Sequence, residues 1–471
     1  MMQAMPERSA ADPFGTKPKI TGRRADWPIQ AELPRYLCTT VSACEAERRA
    51  DSDLVVVDSS WLVRCKRAIA EASIALIAIG DAERGRRSLA QPPRRAHRGH
   101  VNQPELAGVD ALRGRSLLTT HDWPTHDLAS VLGVAARLEG LDRRGADLTW
   151  LDGELAYAMF FDNSTRTKSA WAGAAARLGM HPVIVDGSST QVSHGETAEE
   201  TGAMLGMNAH ALGVRHDLIL GEGNSFMRDV QRGIDDYLVA TGDTRVVPVV
   251  NLQCDVDHPT QSLADLLWLQ EHFGGDIVGR RITMSWAYSL SYAKPLSVPQ
   301  GVVSLLTRFG AHVTLAHPPG YELLPEPTAW AEEGAAASGG SFRVTHDMDD
   351  AFTHAEAVYP KSWGPQELML ERVQANRAGD TAGMKDIEQR ALARNAQFRD
   401  WICDERRMAL TDDALYLHCL PADIGAEVSP EVMDRFRIAV AREANKKVYV
   451  VMALLATAKV PDLAARLGDT P

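Results

Sequence analysis

Cysteine is scarce and badly placed for cross-linking. The six cysteines (Cys38, Cys44, Cys65, Cys254, Cys403 and Cys419) lie at wide, irregular spacings. That excludes a disulfide framework and a paired-cysteine zinc motif, and makes a reducing cytoplasm the simplest home. Positive charge is in deficit. The formal net charge of -12 argues against a nucleic-acid partner, which needs a basic face to displace counterions. Long apolar runs are missing too. The apolar piece over 74–79 is far too short to span a bilayer, and no charged stretch followed by a long apolar core opens the chain as a secretory signal would. No membrane partner is expected. There is no glycine-rich dinucleotide fingerprint after a strand, no HExxH and no CxxC, so neither a cofactor nor a metal is expected. What is present, 471 residues with 45% hydrophobic content, has room for two or three ordinary globular domains.

Residues 1–105 stand apart. They are rich in Arg, Pro, Ser and Ala, with runs such as Arg84-Gly85-Arg86-Arg87 and Pro92-Pro93-Arg94-Arg95. Only 54–57 and 61–79 offer a strand and a helix, and little periodicity surrounds them. The segment reads as a poorly structured N-terminal extension, or as an over-long start ahead of a fold beginning near Leu112. From about residue 110 strand and helix alternate. Helices are expected over 123–138, 164–178, 196–209, 262–271, 299–309, 329–338 and 439–458. Strands are expected over 155–161, 181–185, 211–214, 246–252, 281–285, 313–316, 357–359 and 414–417. This alternation predicts two α/β domains with parallel sheets, whose ligands sit beyond the carboxyl ends of strands.

Four short motifs follow predicted strands closely. The first is Asp162-Asn163-Ser164-Thr165-Arg166-Thr167-Lys168, which opens an Ala-rich helical run. Ser164 and Thr165 suit a helix start, where several backbone N–H groups lack partners. Those groups, the positive end of the helix dipole and the fork of Arg166 together make a phosphate cradle. Taken alone, the stretch reads as readily as a capped helix with a surface arginine. The second is Arg215, a further cation able to reach a phosphate or a carbonyl, although alone it is more simply a surface residue. The third is His258-Pro259-Thr260-Gln261, where the proline suits a tight helix entry. His258 and Gln261 can project together as donors that polarise a carbonyl and stabilise an oxyanion; alone, a helix cap with a buried histidine is the commoner meaning. The fourth is His418-Cys419-Leu420-Pro421. No activating partner for Cys419 is evident, so a loop lining a pocket with backbone carbonyls is favoured over a nucleophile.

Taken together, these residues resemble the aspartate/ornithine carbamoyltransferase family over roughly residues 110–462: STRT at 164–167, the arginine at 215, HPTQ at 258–261 and HCLP at 418–421 stand in family order at family-like separations. The stretch from Trp286-Ala287-Tyr288-Ser289 through Lys294-Pro295 to Gly301 is similar to the proline-containing loop of the knotted branch, which holds acetylornithine and succinylornithine carbamoyltransferases. Segments 222–228 and 253–258 look most like the YgeW type of that branch. The resemblance implies two doubly wound parallel-sheet domains joined by helices, with a deep knot. A carbamoyl-phosphate domain would cover 106–272, a helix over 440–462 would pack back on it, and an amino-acid domain would cover 273–439. It also implies that Ser164, Thr165, Arg166 and Thr167 hold the phosphate of carbamoyl phosphate while Arg215, His258 and Gln261 contact its carbamoyl end. Arg166, Arg215 and His258 would carry catalysis by stabilising charge on oxygen. His194, in Ser193-His194-Gly195-Glu196-Thr197, matches the loop that family members extend into a neighbouring subunit's site, which implies a homotrimer with shared sites.

For the acceptor, the resemblance implies contacts from Trp286, Lys361, Cys419, Leu420 and Pro421. Ornithine carbamoyltransferases carry a Thr-Asp-Val-Trp segment whose aspartate binds the ornithine amino group; here it reads Pro360-Lys361-Ser362-Trp363. A lysine at that point repels a free α-ammonium and attracts a carboxylate. Where relatives place an acceptor-binding arginine the chain reads Glu443-Ala444-Asn445-Lys446-Lys447, so either lysine could compensate, or the acceptor differs. The expected activity is transfer of a carbamoyl group between carbamoyl phosphate and the nitrogen of a carboxylate-bearing amino or ureido acid, or the reverse phosphorolysis. N-acetyl- or N-succinylornithine is the alternative acceptor, and a non-catalytic carbamoyl-phosphate-binding protein the alternative of another class.

Overall fold

The computed structural model describes residues 106, 108–217, 219–291 and 294–469. The strand over 54–57 and the helix over 61–79 lie outside the described residues. Helix α1 (Thr125–Arg143) precedes a first sheet made of β1 (Leu155–Phe160), β2 (His181–Asp186), β3 (Ala211–His216) and β4 (Val249–Cys254). Between and after them run α2 (Arg166–Arg177), α3 (Ala198–Gly206), α4 (Gly223–Thr241) and α5 (Pro259–Phe273). The strands lie in the order β2-β1-β3-β4, all parallel. β4 is buried along its whole length and β3 along most of it, while edge strand β2 is largely exposed. That is what helices on both faces of a parallel sheet impose.

The second sheet takes β5 (Arg281–Trp286), β6 (His312–Ala316), β7 (Ser341–Thr345), β8 (Ala357–Lys361) and β9 (Leu415–Tyr416), ordered β7-β6-β5-β8-β9 and again all parallel. Its helices are α6 (Ser297–Arg308), α7 (Pro325–Ser338), α8 (Met348–Phe352), α9 (Gln366–Arg377), α10 (Thr381–Asn395) and α11 (Glu405–Met408). Each sheet reverses direction once. In the first, the chain leaves β1 for β2 on one side and returns to β3 on the other; in the second it leaves β5 for β6 and returns to β8. Crevices form at such switch points, outside the carboxyl ends of the strands.

Two further helices close the fold, α12 (Pro430–Lys459) and α13 (Leu463–Asp469). α12 starts where the Ser429 side chain accepts from Val432 N at 3.3 Å and Pro430 takes the first turn. Its apolar run over 450–456 is fully buried, and it packs on α1, α2 and α5 of the first sheet. Gly114 N donates to Ala458 O at 2.9 Å and Leu463 N to Asp110 Oδ1 at 2.9 Å. The start of the described fold is therefore fastened to its end. Among the described residues no helix is long and apolar enough to cross a membrane.

Seven elements were not anticipated: α4, α8, α9, α10, α11, α13 and β7. In α4 the buried Met227, Val230, Ile234 and Leu238 do stand at helical spacing, but glycines at 223 and 233 weaken the propensity. Packing explains Gly233, where a Cβ would meet Glu199 O of α3 at 2.0 Å. β7 is a short, mostly exposed edge strand, and α9 with α10 is largely polar around a small core of Leu368, Ile387 and Ala391.

Candidate active site

Six strands deliver residues to one cavity of about 490 Å³. After β1 come Asn163 to Thr167; β3 carries Arg215 one residue before its end; after β4 come His258 and Gln261. After β5 come Ser291, Lys294 and Pro295; β8 ends with Lys361; after β9 come His418 to Pro421. Both switch points of the two sheets open into it, and α12 contributes Lys447.

At the start of α2 the Ser164 hydroxyl accepts from Thr167 N at 3.3 Å. The first-turn N–H groups and Arg166 lie at the wall, the arrangement that holds an oxyanion. Arg166 is anchored from across the cavity: Nε donates to Cys419 O at 3.0 Å, and Nη2 donates to Leu420 O. The HCLP loop thus supplies backbone carbonyls to a pocket residue. Arg215 is gripped by Asp217, Nε to Oδ1 at 3.1 Å and Nη2 to Oδ2 at 3.1 Å. A break in register against β4 between Val214 and Arg215 re-aims the strand end, as bulges beside sites do. Burial pushes the Asp217 carboxyl up to about 8, against the pull of Arg215.

His258 is buried, with Nε2 3.3 Å from Lys447 Nζ and Nδ1 3.3 Å from Thr260 Oγ1. Burial, with Lys447, Arg215 and Arg166 nearby, drives its pKa well below the ordinary histidine value, so the ring is neutral. Gln261 donates to Asp265 Oδ1 at 2.6 Å, which leaves its carbonyl oxygen and one N–H for a ligand. Behind it Asp265 lies beside Glu443 of α12, and burial pushes both carboxyls up, Asp265 to about 6.

On the opposite wall Lys361 is 4% exposed, and its Nζ donates to Ser362 O at 2.8 Å and Pro295 O at 3.2 Å. Burial lowers its pKa. Glu427, also buried, binds Lys294 Nζ at 2.7 Å, faces His418 Nε2 at 3.4 Å, and accepts from Ser362 N at 2.7 Å and Asp423 N at 2.8 Å. Burial alone would raise the Glu427 carboxyl, but His418 and Lys294 hold it far below the usual carboxylate range. Because His418 Nδ1 accepts from Leu420 N at 2.8 Å, the neutral ring keeps its hydrogen on Nε2, aimed at Glu427.

Five cations line the cavity: Arg166, Arg215, Lys294, Lys361 and Lys447. Arg215 and Lys294 have carboxyl partners, whereas Arg166, Lys361 and Lys447 are held by carbonyls, a hydroxyl and an imidazole. Buried or part-buried cations without a carboxyl partner are costly unless anionic ligands complete them, and a phosphate with a carboxylate would do so. Among the described residues no group of His, Cys, Asp and Glu is placed to hold a metal ion.

Of the residues singled out in the sequence, Ser164, Thr165, Arg166, Thr167, Arg215, His258, Gln261, Lys361, Cys419, Leu420 and Pro421 all line this cavity. Two do not. Trp286 lies in an aromatic cluster with Tyr321, Phe398 and Trp401, and its indole donates to Trp363 O at 2.9 Å; its bulk and its N–H are both taken up by the core. His194 is exposed, on a 3-10 turn outside the cavity walls of its own chain. Lys446 and Lys447, left open by the sequence, are separated. Lys446 is ion-paired with Glu139 and Glu271, and Lys447 faces the cavity. Lys294, Gln253 and Glu427 were not anticipated as lining residues; Lys294 sits in a quoted loop motif, but nothing in the sequence marks Glu427.

Residues 115–271 match the carbamoyl-P binding domain of aspartate/ornithine carbamoyltransferase, and residues 297–458 match its Asp/Orn binding domain. The YgeW protein of Escherichia coli (strain K12), named as a carbamoyltransferase, is 46% identical over 358 residues, 74% of this chain and 90% of its own length. N-acetylornithine carbamoyltransferase of Xanthomonas campestris pv. campestris is 31% identical over 358 residues, 73% of this chain and 97% of its own. A crystal structure of an N-acetyl-L-ornithine transcarbamylase variant complexed with carbamyl phosphate and N-succinyl-L-norvaline is similar, with a TM-score of 0.60 and 29% identity, across 73% of this chain and 99% of that one.

Proposed function

The chain belongs to the aspartate/ornithine carbamoyltransferase family, and from that membership we propose that it transfers a carbamoyl group between carbamoyl phosphate and the nitrogen of an amino or ureido acid bearing a carboxylate and no free ammonium beside Lys361. The observation that carries the acceptor class is the buried Lys361, which lines the cavity and is held by backbone carbonyls with no carboxyl partner at ion-pair distance among the described residues. The first turn of α2 and Arg166 take the phosphate. Arg215, His258 and Gln261 take the carbamoyl oxygen and nitrogen. Lys361 is left for a carboxylate. Amine attack on the carbonyl carbon builds negative charge on oxygen, which Arg166 and Arg215 stabilise in a site of low dielectric. Holding both reactants against fixed walls supplies much of the remaining acceleration. The reverse phosphorolysis runs through the same contacts.

The knotted chain path, the homotrimer with His194 reaching a neighbouring site, the cytoplasmic location and the domain division at 272/273 with 440–462 returning to the first domain belong to the same proposal. N-acetylornithine is the second reading for the acceptor, favoured by the relatives named for it. The test is phosphate release from carbamoyl phosphate across ornithine, N-acetylornithine, N-succinylornithine, diaminopropionate and carbamoylated derivatives, with arsenate-driven cleavage for the reverse direction. Turnover is expected with an acceptor that carries a carboxylate and lacks a free α-ammonium. Turnover with ornithine in preference to its acylated forms would sink the role given to Lys361.

A further inference from the structure

Helix α12 sets two lysines side by side with opposite surroundings. Lys446 is locked to Glu139 and Glu271. One residue on, Lys447 is 3% exposed and has no carboxylate within ion-pair distance among the described residues. Its Nζ lies 3.4 Å from Thr167 Oγ1, in the first turn of the anion-binding helix, and 3.3 Å from His258 Nε2, on the loop assigned to the carbonyl. One amino group thus touches both ends of the place where the carbon–oxygen–phosphorus bridge would lie.

Resting on the carbamoyltransferase reading, we propose that Lys447 is a catalytic residue, the carrier that passes a proton from the attacking nitrogen to the leaving phosphate. As the carbon–oxygen bond breaks, the Nζ ammonium formed on carbamoyl phosphate binding gives a proton to the departing oxygen. Nζ, now neutral, takes the surplus proton of the attacking nitrogen. Phosphate leaves as the monohydrogen dianion and Lys447 ends as an ammonium, as it stood in the complex. The groups facing Nζ are His258 at the cap of α5, Asp265 from α5, Arg166 from α2, Arg215 from β3 and Cys419 after β9, with Glu443 on its own helix beside Asp265. Burial, reinforced by Arg166 and Arg215, brings the Lys447 ammonium down to about 7, so both forms are populated at neutral pH, as proton transfer requires. His258 follows the switch: against an ammonium its Nε2 accepts, and against neutral Nζ it can carry hydrogen and donate. An arginine here would keep its proton throughout.

Titration calorimetry of carbamoyl phosphate into the full chain at pH 8, in buffers of different ionisation enthalpy, counts protons taken up on binding. Wild type should take up close to one, because the arriving anion re-protonates Nζ. Lys447→Arg should bind within about threefold and take up none. Lys447→Met should bind more weakly and also take up none. With an acceptor that turns over, Lys447→Arg should lose about a hundredfold in kcat together with the wild-type pH limb near neutrality. Binding without uptake, uptake that persists in both variants, or unchanged kcat in Lys447→Arg each overturns the inference alone. A wild type that does not bind carbamoyl phosphate overturns the carbamoyl reading and the inference with it.

Discussion

The two walls of the cavity are built differently. On the first-sheet wall, one stretch of consecutive residues, 163–167, brings a helix start and Arg166 together; Arg215 is steadied by the Asp217 carboxyl two residues on, and Arg166 alone reaches across the cavity, to two backbone carbonyls. On the second-sheet wall, Lys294, Lys361, His418 and Glu427 come from four separate segments and hold one another in place. A helix start is an anion site that a contiguous sequence specifies. A charge network exists only once distant loops have met. The difference assigns the walls different tasks: the first wall suits a ligand that stays fixed, and the second can be retuned by single substitutions without disturbing the first.

Three substitutions would break or sharpen that division. Arg166→Ala should have the largest effect, with carbamoyl phosphate binding lost and kcat/KM down about a thousandfold, measured by calorimetry and phosphate release. A variant that still bound carbamoyl phosphate normally would remove the phosphate from the first wall. Glu427→Gln comes next. It leaves buried His418 without its carboxylate and Lys294 with Asp423 alone, which should lower stability by about 3 kcal/mol while sparing carbamoyl phosphate affinity. The pH dependence has a definite sign. A carboxyl held below its unfolded pKa contributes stability above about 4.5 and loses it as pH falls further. Urea unfolding at pH 7 and pH 4 should therefore show the wild-type advantage shrinking at the lower pH. Lys361→Ala should be smallest, raising the acceptor KM about fiftyfold, the size of one charged hydrogen-bond contact, and moving the carbamoyl phosphate Kd by less than threefold. Parallel loss of both affinities would merge the two walls into one.

The same division governs what the sequence discloses. Strands β1, β3 and β8 are largely apolar runs, and the anion motif directly follows one of them, so that half of the site is legible from local pattern. Lys446 and Lys447 show the limit. They are identical neighbours on one helix, and only the presence of Glu139 and Glu271 beside one and of Thr167 and His258 beside the other separates them. Glu427 is invisible for a similar reason, since Lys294 and Ser362, which bring it to the cavity wall, lie far off in the chain. Trp286 misleads in the opposite sense: it ends a strand at the level of Lys361, yet its ring is claimed by an aromatic core that forms only when Tyr321, Phe398 and Trp401 arrive.

The hydrogen bonds that tie Gly114 to Ala458 and Asp110 to Leu463 make the described fold nearly a closed loop of chain. Its order along the polypeptide is then partly a matter of where the loop happens to be cut. A circularly permuted form, joined across this seam and opened at the exposed glycine pair Gly274–Gly275 after α5, would keep every strand pairing of both sheets while making the second-sheet half the leading part of the polypeptide.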